Sequence, residues 1–443
     1  MTPEPPAETA ALIERRLRWA FGAVLLWRLL FPFFDSPLAH LFSDPDRHWS
    51  NGARFLDPDP IGAGDPYLFQ LWIYLLRRLS ADSPPTIQLA CGVLCAAMPY
   101  GWYRALKELL PRSQALAGAI VMGVVPAFFG IYAYFMNETL LLTLTGCAFW
   151  LTLRSWRKAT LGAWTLACLM WSCVLFTRTI ALPMALLCLG TIWIMQPVGR
   201  LQKALVASGA FLLLAVPSAM HARPKLGFWA PLGNLYITEI YNLSGKHDIA
   251  LDLGSAGRWG FGSPSFYNPT FYPFSDWTTA RQGTVSIRID LSHGRADWLA
   301  ERDRVQRAST FPRWRRYGEN VVYLLFAQSW PDNDPRSVMG WLNIWSRWLW
   351  PPLMLFVAWG AMRGLYDGRQ WLLPACGLLM LALLALQSTS IIEARYRKPI
   401  DAVLLAAAIV QHCRTRSARS SHAPGDWRFR RRLVRAAPLA PAG

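Results

Sequence analysis

A short acidic stretch, FSDPDRHWSNGARFLDPDP at residues 42–60, follows the first long apolar run of the chain. It holds four carboxylates, one imidazole and two guanidinium groups: Asp44, Asp46, Asp57, Asp59, His48, Arg47 and Arg54. Because the whole chain has a formal net charge of +18, such a local concentration of acid is unusual. A carboxylate can serve as a general base, which is typically worth about 10² to 10⁴ in rate.

Asp44 and Asp46 are the candidate catalytic residues of this stretch. If a helix begins near Pro45, residues two apart diverge by about 200°, so only one carboxylate should reach a given acceptor atom. Two other interpretations stay open: a helix cap in a solvated loop, where Asp-Pro is common turn chemistry, and a divalent-cation site formed by the Asp-x-Asp-x-His spacing. No metal or other cofactor is predicted to be required.

The composition predicts a polytopic membrane protein. Apolar residues make up 53% and charged residues 16% of the 443, with 23 Trp and 22 Phe, which is too apolar and aromatic for a typical soluble domain. A spanning helix needs roughly 20 mostly apolar residues. Ten stretches qualify or nearly qualify: 17–34, 86–103, 114–135, 137–153, 160–177, 179–196, 203–220, 341–362, 371–391 and 399–412.

The charges of the short loops predict the orientation. Basic residues follow the second, fourth, sixth and eighth stretches: Arg104, Lys107, Arg112, Arg154, Arg157, Lys158, Arg200, Lys203, Arg363 and Arg369. Since short cytoplasmic loops are enriched in Lys and Arg, both termini are predicted to be cytoplasmic and the acidic stretch to lie outside. The run at 67–79 would then be an amphipathic helix in the outer interface rather than a span. The Arg-rich, Lys-poor balance favours a bacterial inner membrane.

The spans and loops divide the chain into four parts. We predict an N-terminal membrane bundle at 1–220 with a first outer loop at 35–85, an extracytoplasmic region at 221–340, C-terminal membrane helices at 341–412, and a disordered basic cytoplasmic tail at 413–443. Within the outer region, 258–277 reads as turn-rich and irregular, and 296–330 as helix broken at Pro312. All eight Cys fall in or beside predicted spans, so no disulfide framework is expected.

Several motifs spread along the chain resemble the GT-C superfamily of integral-membrane glycosyltransferases. Beyond the outer acids and the large outer loop, they are NETLLLTL at 137–144, TRTIALPMALL at 177–187 and EARYRKPIDAVLLAA at 393–407. The second is similar to a recurring Thr-Arg-Pro element, with Thr179 where Pro is commoner, and the third to a terminal Arg-Tyr-Arg-x-Pro element. The predicted fold is therefore an all-α polytopic membrane protein of about ten transmembrane helices.

The resemblance implies a function and a set of site residues. The donor would be a sugar on a polyprenyl phosphate, as in mannosyltransferases of this kind, and transfer to a hydroxyl of a glycan, lipid or protein would occur on the outer face, with inversion. An acid of the first outer loop would be essential, and we favour Asp44 because the family usually places this acid very soon after the first span. Guanidinium groups pair phosphate oxygens bidentately, so we expect Arg395, Arg397, Arg178 and Arg47 to hold the phosphate. Further candidates are His48, Glu138 and Arg54. No nucleic-acid partner is expected.

Two functions of other classes remain open. A transporter or flippase of lipid-linked sugars would handle similar cargo, although such proteins place broken helices and polar residues at the bilayer midplane. A noncatalytic subunit of an envelope assembly would use the 221–340 region for binding and would leave the Asp pair dispensable. Arg28, near the outer end of the first span, is predicted to snorkel outward or to help hold a lipid phosphate.

Overall fold

The computed structural model describes residues 7–41, 43–236, 239–240, 243, 248–253, 259–261, 285–290, 300, 321, 347–386 and 397–421. In chain order its α-helices are α1 (Ala7–Phe34), α2 (Ser43–Ala53), α3 (Tyr67–Ser80), α4 (Pro84–Lys107), α5 (Arg112–Val124), α6 (Pro126–Phe129), α7 (Asn137–Lys158), α8 (Leu161–Thr177), α9 (Leu182–Met195), α10 (Arg200–Leu226), α11 (Trp350–Met362), α12 (Leu372–Ala385) and α13 (Lys398–Ser421). Every predicted apolar stretch overlaps at least one of these helices.

Within the part of the chain that the structure describes, three helices are long and apolar enough to cross a membrane. They are Glu8–Phe34, Arg200–Leu226 and Gly368–Ala385, and the bent pair Arg112–Val124 and Pro126–Ala133 would add a fourth. Shorter apolar helices lie at Leu161–Thr177, Thr179–Met195 and Trp350–Met362. The mainly helical fold and the membrane class therefore agree with the prediction.

A small antiparallel sheet lies within the predicted outer region. Its strands are β1 (Asp248–Leu253), β2 (Trp259–Phe261) and β3 (Val285–Asp290), in the order β2–β1–β3. Leu251 pairs with Phe261 on one side and with Ile287 on the other. The prediction of a wholly helical fold missed this sheet, and the prediction of irregular structure at 258–277 is wrong for β2. Runs as short as DIALDL and VSIRID carry only a few alternating positions, a weak signal for a strand. The helix predicted at 296–330 lies outside the described residues, apart from Ala300 and Val321.

A proline breaks the third predicted span. Pro126 opens α6, and the preceding Val125 takes an extended conformation with ψ of 119°, as residues before proline prefer. The chain therefore bends by 76° between the helix that ends at Val124 and the segment that runs to Ala133. This break separates α5 from α6 and turns their carbonyl ends toward the protein interior.

The core of the helical bundle is aromatic. The Phe149 ring lies between Trp102 and Trp171, with centroid distances of 5.6 Å to each. Trp171 also donates its indole N–H to the Thr152 hydroxyl at 2.8 Å. A Cβ atom on Gly92 would lie 2.0 Å from the carbonyl oxygen of Leu29, so glycine permits α4 to approach α1 closely.

The loop predicted to be the first outer loop folds as two helices packed on the bundle. A Cβ atom on Gly52 of α2 would lie 2.2 Å from the Ile73 side chain, so α2 rests directly on α3. A separate apolar cluster holds these helices: Trp49, Phe69, Ile73, Leu76, Ile87, Cys91, Phe135 and Leu140. The amphipathic helix predicted at 67–79 is confirmed as helix α3. At the other end of the chain, α13 continues to Ser421, into the segment predicted to be a tail.

Candidate active site

The two candidate acids lie on different faces of helix α2. Asp44 and Asp46 both occupy its first turn. The Asp44 side chain is 23% exposed, and its carboxylate pairs with Arg47 at 3.2 Å, whereas Asp46 is exposed. The predicted divergence of the two carboxylates is thus confirmed, and Asp44 is the one that is partly buried and paired with Arg47.

A third acid, Asp65, forms the centre of the outer loop. Its carboxylate accepts hydrogen bonds from the side-chain amides of Asn51 at 2.7 Å and Gln70 at 3.1 Å. Arg47 lies 3.4 Å from one carboxylate oxygen, and Nδ1 of His48 lies 3.3 Å from the other. Arg47 therefore joins the partly exposed Asp44 to the buried Asp65.

The ionised form of Asp65 is stabilised by these neighbours. Burial alone would raise the pKa of this carboxyl, but the nearby imidazole of His48, the guanidinium group of Arg47 and the hydrogen bond from Asn51 outweigh burial and hold the pKa well below its usual range. Asp65 is therefore a fixed negative charge at neutral pH. It serves as an anchor for α2 rather than as a proton acceptor.

His48 belongs to this anchor. Its side chain is 2% exposed and packs edge-on against Phe69 with ring centroids 5.1 Å apart. It thus faces Asp65 and the apolar cluster, while Asp46 points to solvent. Within the described residues, no group of three or more His, Cys, Asp or Glu side chains is placed to hold a metal ion. The Asp-x-Asp-x-His spacing therefore does not form a ligand set here.

A small surface cleft, with room for about one water molecule, begins next to Asp65. Its lining comes from the start of α3, the α8–α9 connection, α10 and the segment after α10: Pro66, Tyr67, Leu175, Phe176, Arg178, Thr179, Ser218, Pro231, Leu232 and Gly233. Ser218 on α10 donates its hydroxyl hydrogen to the Pro231 carbonyl at 2.7 Å, so the segment after α10 is held against α10. The cleft combines aromatic and apolar surface with one guanidinium group.

Arg178 supplies that guanidinium group. It lies in extended backbone (φ −164°, ψ 119°) between α8 and the Thr179–Ala181 turn, which turns its side chain back toward the start of α7. There it pairs with the carboxylate of Glu138 and donates to the Asn137 side chain at 3.4 Å. Glu138 is 1% exposed. The structure therefore brings together two site candidates, Glu138 and Arg178, that are 40 residues apart in sequence.

The other candidate arginines lie elsewhere. Arg397 is buried immediately before α13, where its Nε lies 2.8 and 3.0 Å from the two carboxylate oxygens of Asp401 and its guanidinium lies 5.7 Å from the Trp350 ring centroid. Arg395 lies outside the described residues. Arg54 is exposed just beyond the end of α2.

The prediction for Arg28 is wrong. Its side chain is fully buried and donates to the carbonyls of Cys95, Gly123 and Phe128 at 2.8, 3.2 and 2.8 Å. Pro99, four residues after Cys95, has no N–H to offer that carbonyl, and the other two carbonyls end α5 and α6. Arg28 therefore satisfies three backbone acceptors that the helices leave unpaired.

Sequence reasoning missed the residues that organise the site. Asp65 lies in GAGDPY, which reads as an ordinary Asp-Pro turn, and Asn51 and Gln70 lie in helices with no motif around them. A second missed pair is His40 and Asp35, 2.7 Å apart and buried at the end of α1. An acid within reach of three or more donors from a neighbouring helix is visible only in three dimensions.

Comparison with known proteins does not extend this picture. A scan against protein-family models gives no match, and a search of the curated proteins likewise returns none.

Proposed function

We propose that the protein is a membrane glycosyltransferase that moves a sugar from a polyprenyl-phosphate donor to an acceptor hydroxyl on the extracytoplasmic face. The observation that carries the proposal is the continuity between the acid loop and the cleft. Asp65, which fixes α2 and its Asp44, is followed directly by Pro66 and Tyr67, which line the cleft that also contains Arg178. The acid loop is thus continuous in sequence with the wall of the small, partly aromatic cleft that holds the Arg178 guanidinium group.

The proposed roles follow from the charges. Asp44, held by Arg47 and partly exposed, would take the proton of the acceptor hydroxyl as that oxygen attacks the anomeric carbon. The phosphate leaves with a negative charge, and Arg178 would stabilise it. Since Arg178 is paired with Glu138, the phosphate must share or displace this carboxylate. The proposed topology has about ten spans, with both termini in the cytoplasm.

The test is donor consumption by the purified protein in lipid. A panel of radiolabelled polyprenyl-phosphate sugars with an acceptor extract would be offered to the wild type and to Asp44→Asn. We expect consumption to fall at least about 100-fold in Asp44→Asn, within the range for loss of a general base, with donor binding retained. Asp46→Asn should be affected less.

Asp57→Asn is the matched control, because Asp57 is an exposed carboxylate of the same loop. Equal activity of Asp44→Asn and Asp57→Asn would place the base elsewhere. No consumption by the wild type would contradict the glycosyltransferase proposal.

A transporter of lipid-linked sugars is the second candidate, because the broken helix α5–α6 is typical of that class. In such transporters the carbonyl ends of half-helices hold coupling ions. Here Arg28 bonds the Gly123 and Phe128 carbonyls and Lys398 donates to Ala127 at 2.7 Å. Because two side-chain cations already occupy these carbonyls, the break favours a fixed scaffold. Movement of labelled donor across proteoliposomes without its consumption would reverse this preference.

A further inference from the structure

Two cysteines from different helices meet inside the bundle. The sulfur atoms of Cys188 on α9 and Cys376 on α12 are 3.6 Å apart, and both side chains are fully buried. Both are free thiols, since a disulfide would hold the sulfurs at about 2.0 Å. The pair joins two helices that are far apart in sequence.

A methionine lies one helical turn from each cysteine. The sequences are MALLC at 184–188 and CGLLM at 376–380, so Met184 and Met380 share the helix face of their cysteine. Met184 is 0% and Met380 2% exposed, and all four residues belong to one core cluster. In the proposed topology α9 runs inward and α12 outward, which places both methionines on the outer side of the cysteine pair. Two thiols and two thioethers thus belong to one apolar core, with each methionine one turn from its cysteine.

The spacing of the thiols suits a shared metal ion. Sulfur atoms that bind one d¹⁰ ion at ~2.3 Å in tetrahedral geometry lie ~3.8 Å apart. The observed 3.6 Å separation is close to this value.

We propose that these four residues form a site for a soft monovalent cation, with cuprous ion as the chemical type. Thiolate and thioether ligands select Cu(I), whereas Zn²⁺ binds thiolates but has little affinity for methionine sulfur. The net charge of the occupied site also favours a monovalent ion. When Cu(I) binds, one thiol releases its proton to solvent and the ion replaces it, so the site remains neutral with one thiolate and one thiol. A neutral complex avoids the cost of a net charge in an apolar interior.

This inference does not depend on the glycosyltransferase proposal, and it has its own test. Reduced, purified protein would be titrated with Cu(I) against a chromophoric Cu(I) chelator, and the metal retained per chain measured. We expect the wild type to retain one equivalent and Cys188→Ser and Cys376→Ser to lose at least about 100-fold in affinity, since loss of even an outer-sphere partner costs about 10- to 100-fold.

Two further variants make the test specific. Cys168→Ser, which alters a buried cysteine of α8, should retain the ion as the wild type does. The double variant Met184→Leu with Met380→Leu conserves core volume, so it should stay folded. It should bind Cu(I) at least about 10-fold more weakly than the wild type. If the cysteine variants do not fold, this double variant tests the proposal. No retention by the wild type, undiminished retention by folded cysteine or methionine variants, or preferential retention of Zn²⁺ would overturn the proposal.

Discussion

At the scale of single residues, the acids of the first outer loop differ more in environment than in sequence. Asp46 is exposed, Asp44 is partly exposed and paired, and Asp65 is buried among four partners. A group that receives several charged or hydrogen-bonding neighbours cannot also accept a proton readily, because those neighbours stabilise its ionised form. The geometry therefore separates a residue that can act on a substrate from one that holds the loop.

Replacing Asp65 by asparagine should destabilise the protein by about 2 kcal/mol at neutral pH, within the range for leaving buried hydrogen-bond donors without their charged acceptor. Arg47 would lose one of its two carboxylate partners, and α2 its anchor to the start of α3. The exposed Asp82, which pairs with Arg77, provides the control Asp82→Asn, expected to cost less than about 1 kcal/mol. Midpoints of thermal unfolding in detergent would compare the two.

The same variant gives a pH dependence with a definite sign. Because the folded-state pKa of Asp65 is depressed, its stabilising contribution is complete above the unfolded-state pKa of about 3.9. That contribution is lost as the pH falls from there toward the folded-state pKa. The difference in midpoint between wild type and Asp65→Asn should therefore shrink as the pH falls below about pH 4. A difference that grows as the pH falls below about pH 4 would contradict the assigned charge state.

At the scale of elements, prolines interrupt the helices, and cationic side chains bond the backbone carbonyls that are left unpaired there. Pro99 interrupts the α4 hydrogen-bond ladder, and Pro126 separates α5 from α6. Arg28 donates to an acceptor at each of these places, where the C-terminal ends of two helix dipoles also favour a positive charge. A guanidinium group suits this task because its donors are fixed in one plane.

Arg28→Met should lower stability by about 3 kcal/mol, since each hydrogen bond from a charged donor is worth about 1.5 to 3 kcal/mol and part of that gain is offset by burying the charge. It leaves three buried carbonyls without this donor. Arg18→Met is the matched control on the same helix, because Arg18 is exposed and pairs only locally with Glu14. Resistance to unfolding by a denaturing detergent would measure both. Equal losses in the two variants would show that Arg28 does not hold α1, α4 and α5 together.

The helices could be predicted from the sequence, whereas the contacts between them could not. Apolar run length predicted the helices, and the period of 67–79 predicted α3, because these features depend on neighbouring residues. Arg28 was predicted to reach outward, since its position along α1 gives no sign that Pro99 and Pro126 leave acceptors beside it. Asp65 was missed for the same reason: its partners Asn51 and Gln70 are identified only by the packing of α2 on α3.

At the scale of the whole molecule, basic residues mark one end of the helical bundle. Arg104 lies 4.2 Å from the Trp150 ring centroid, Arg157 pairs with Glu108 at 3.1 Å, and Arg414 donates to the Leu365 carbonyl at 3.1 Å. In the proposed topology this end faces the cytoplasm, where Arg and aromatic side chains are suited to the lipid headgroup region. The acid loop and the cleft would then lie at the opposite face.

This orientation can be tested by the accessibility of introduced thiols. Leu56 is 70% exposed in the acid loop, and Lys158 is exposed at the end of α7. In intact cells a membrane-impermeant maleimide should label Leu56→Cys and leave Lys158→Cys unlabelled until the membrane is permeabilised. The wild type measures the background from the eight native thiols, which the described structure places in helices. The reverse pattern would put the acid loop in the cytoplasm, and a reaction at the outer face could then not use Asp44.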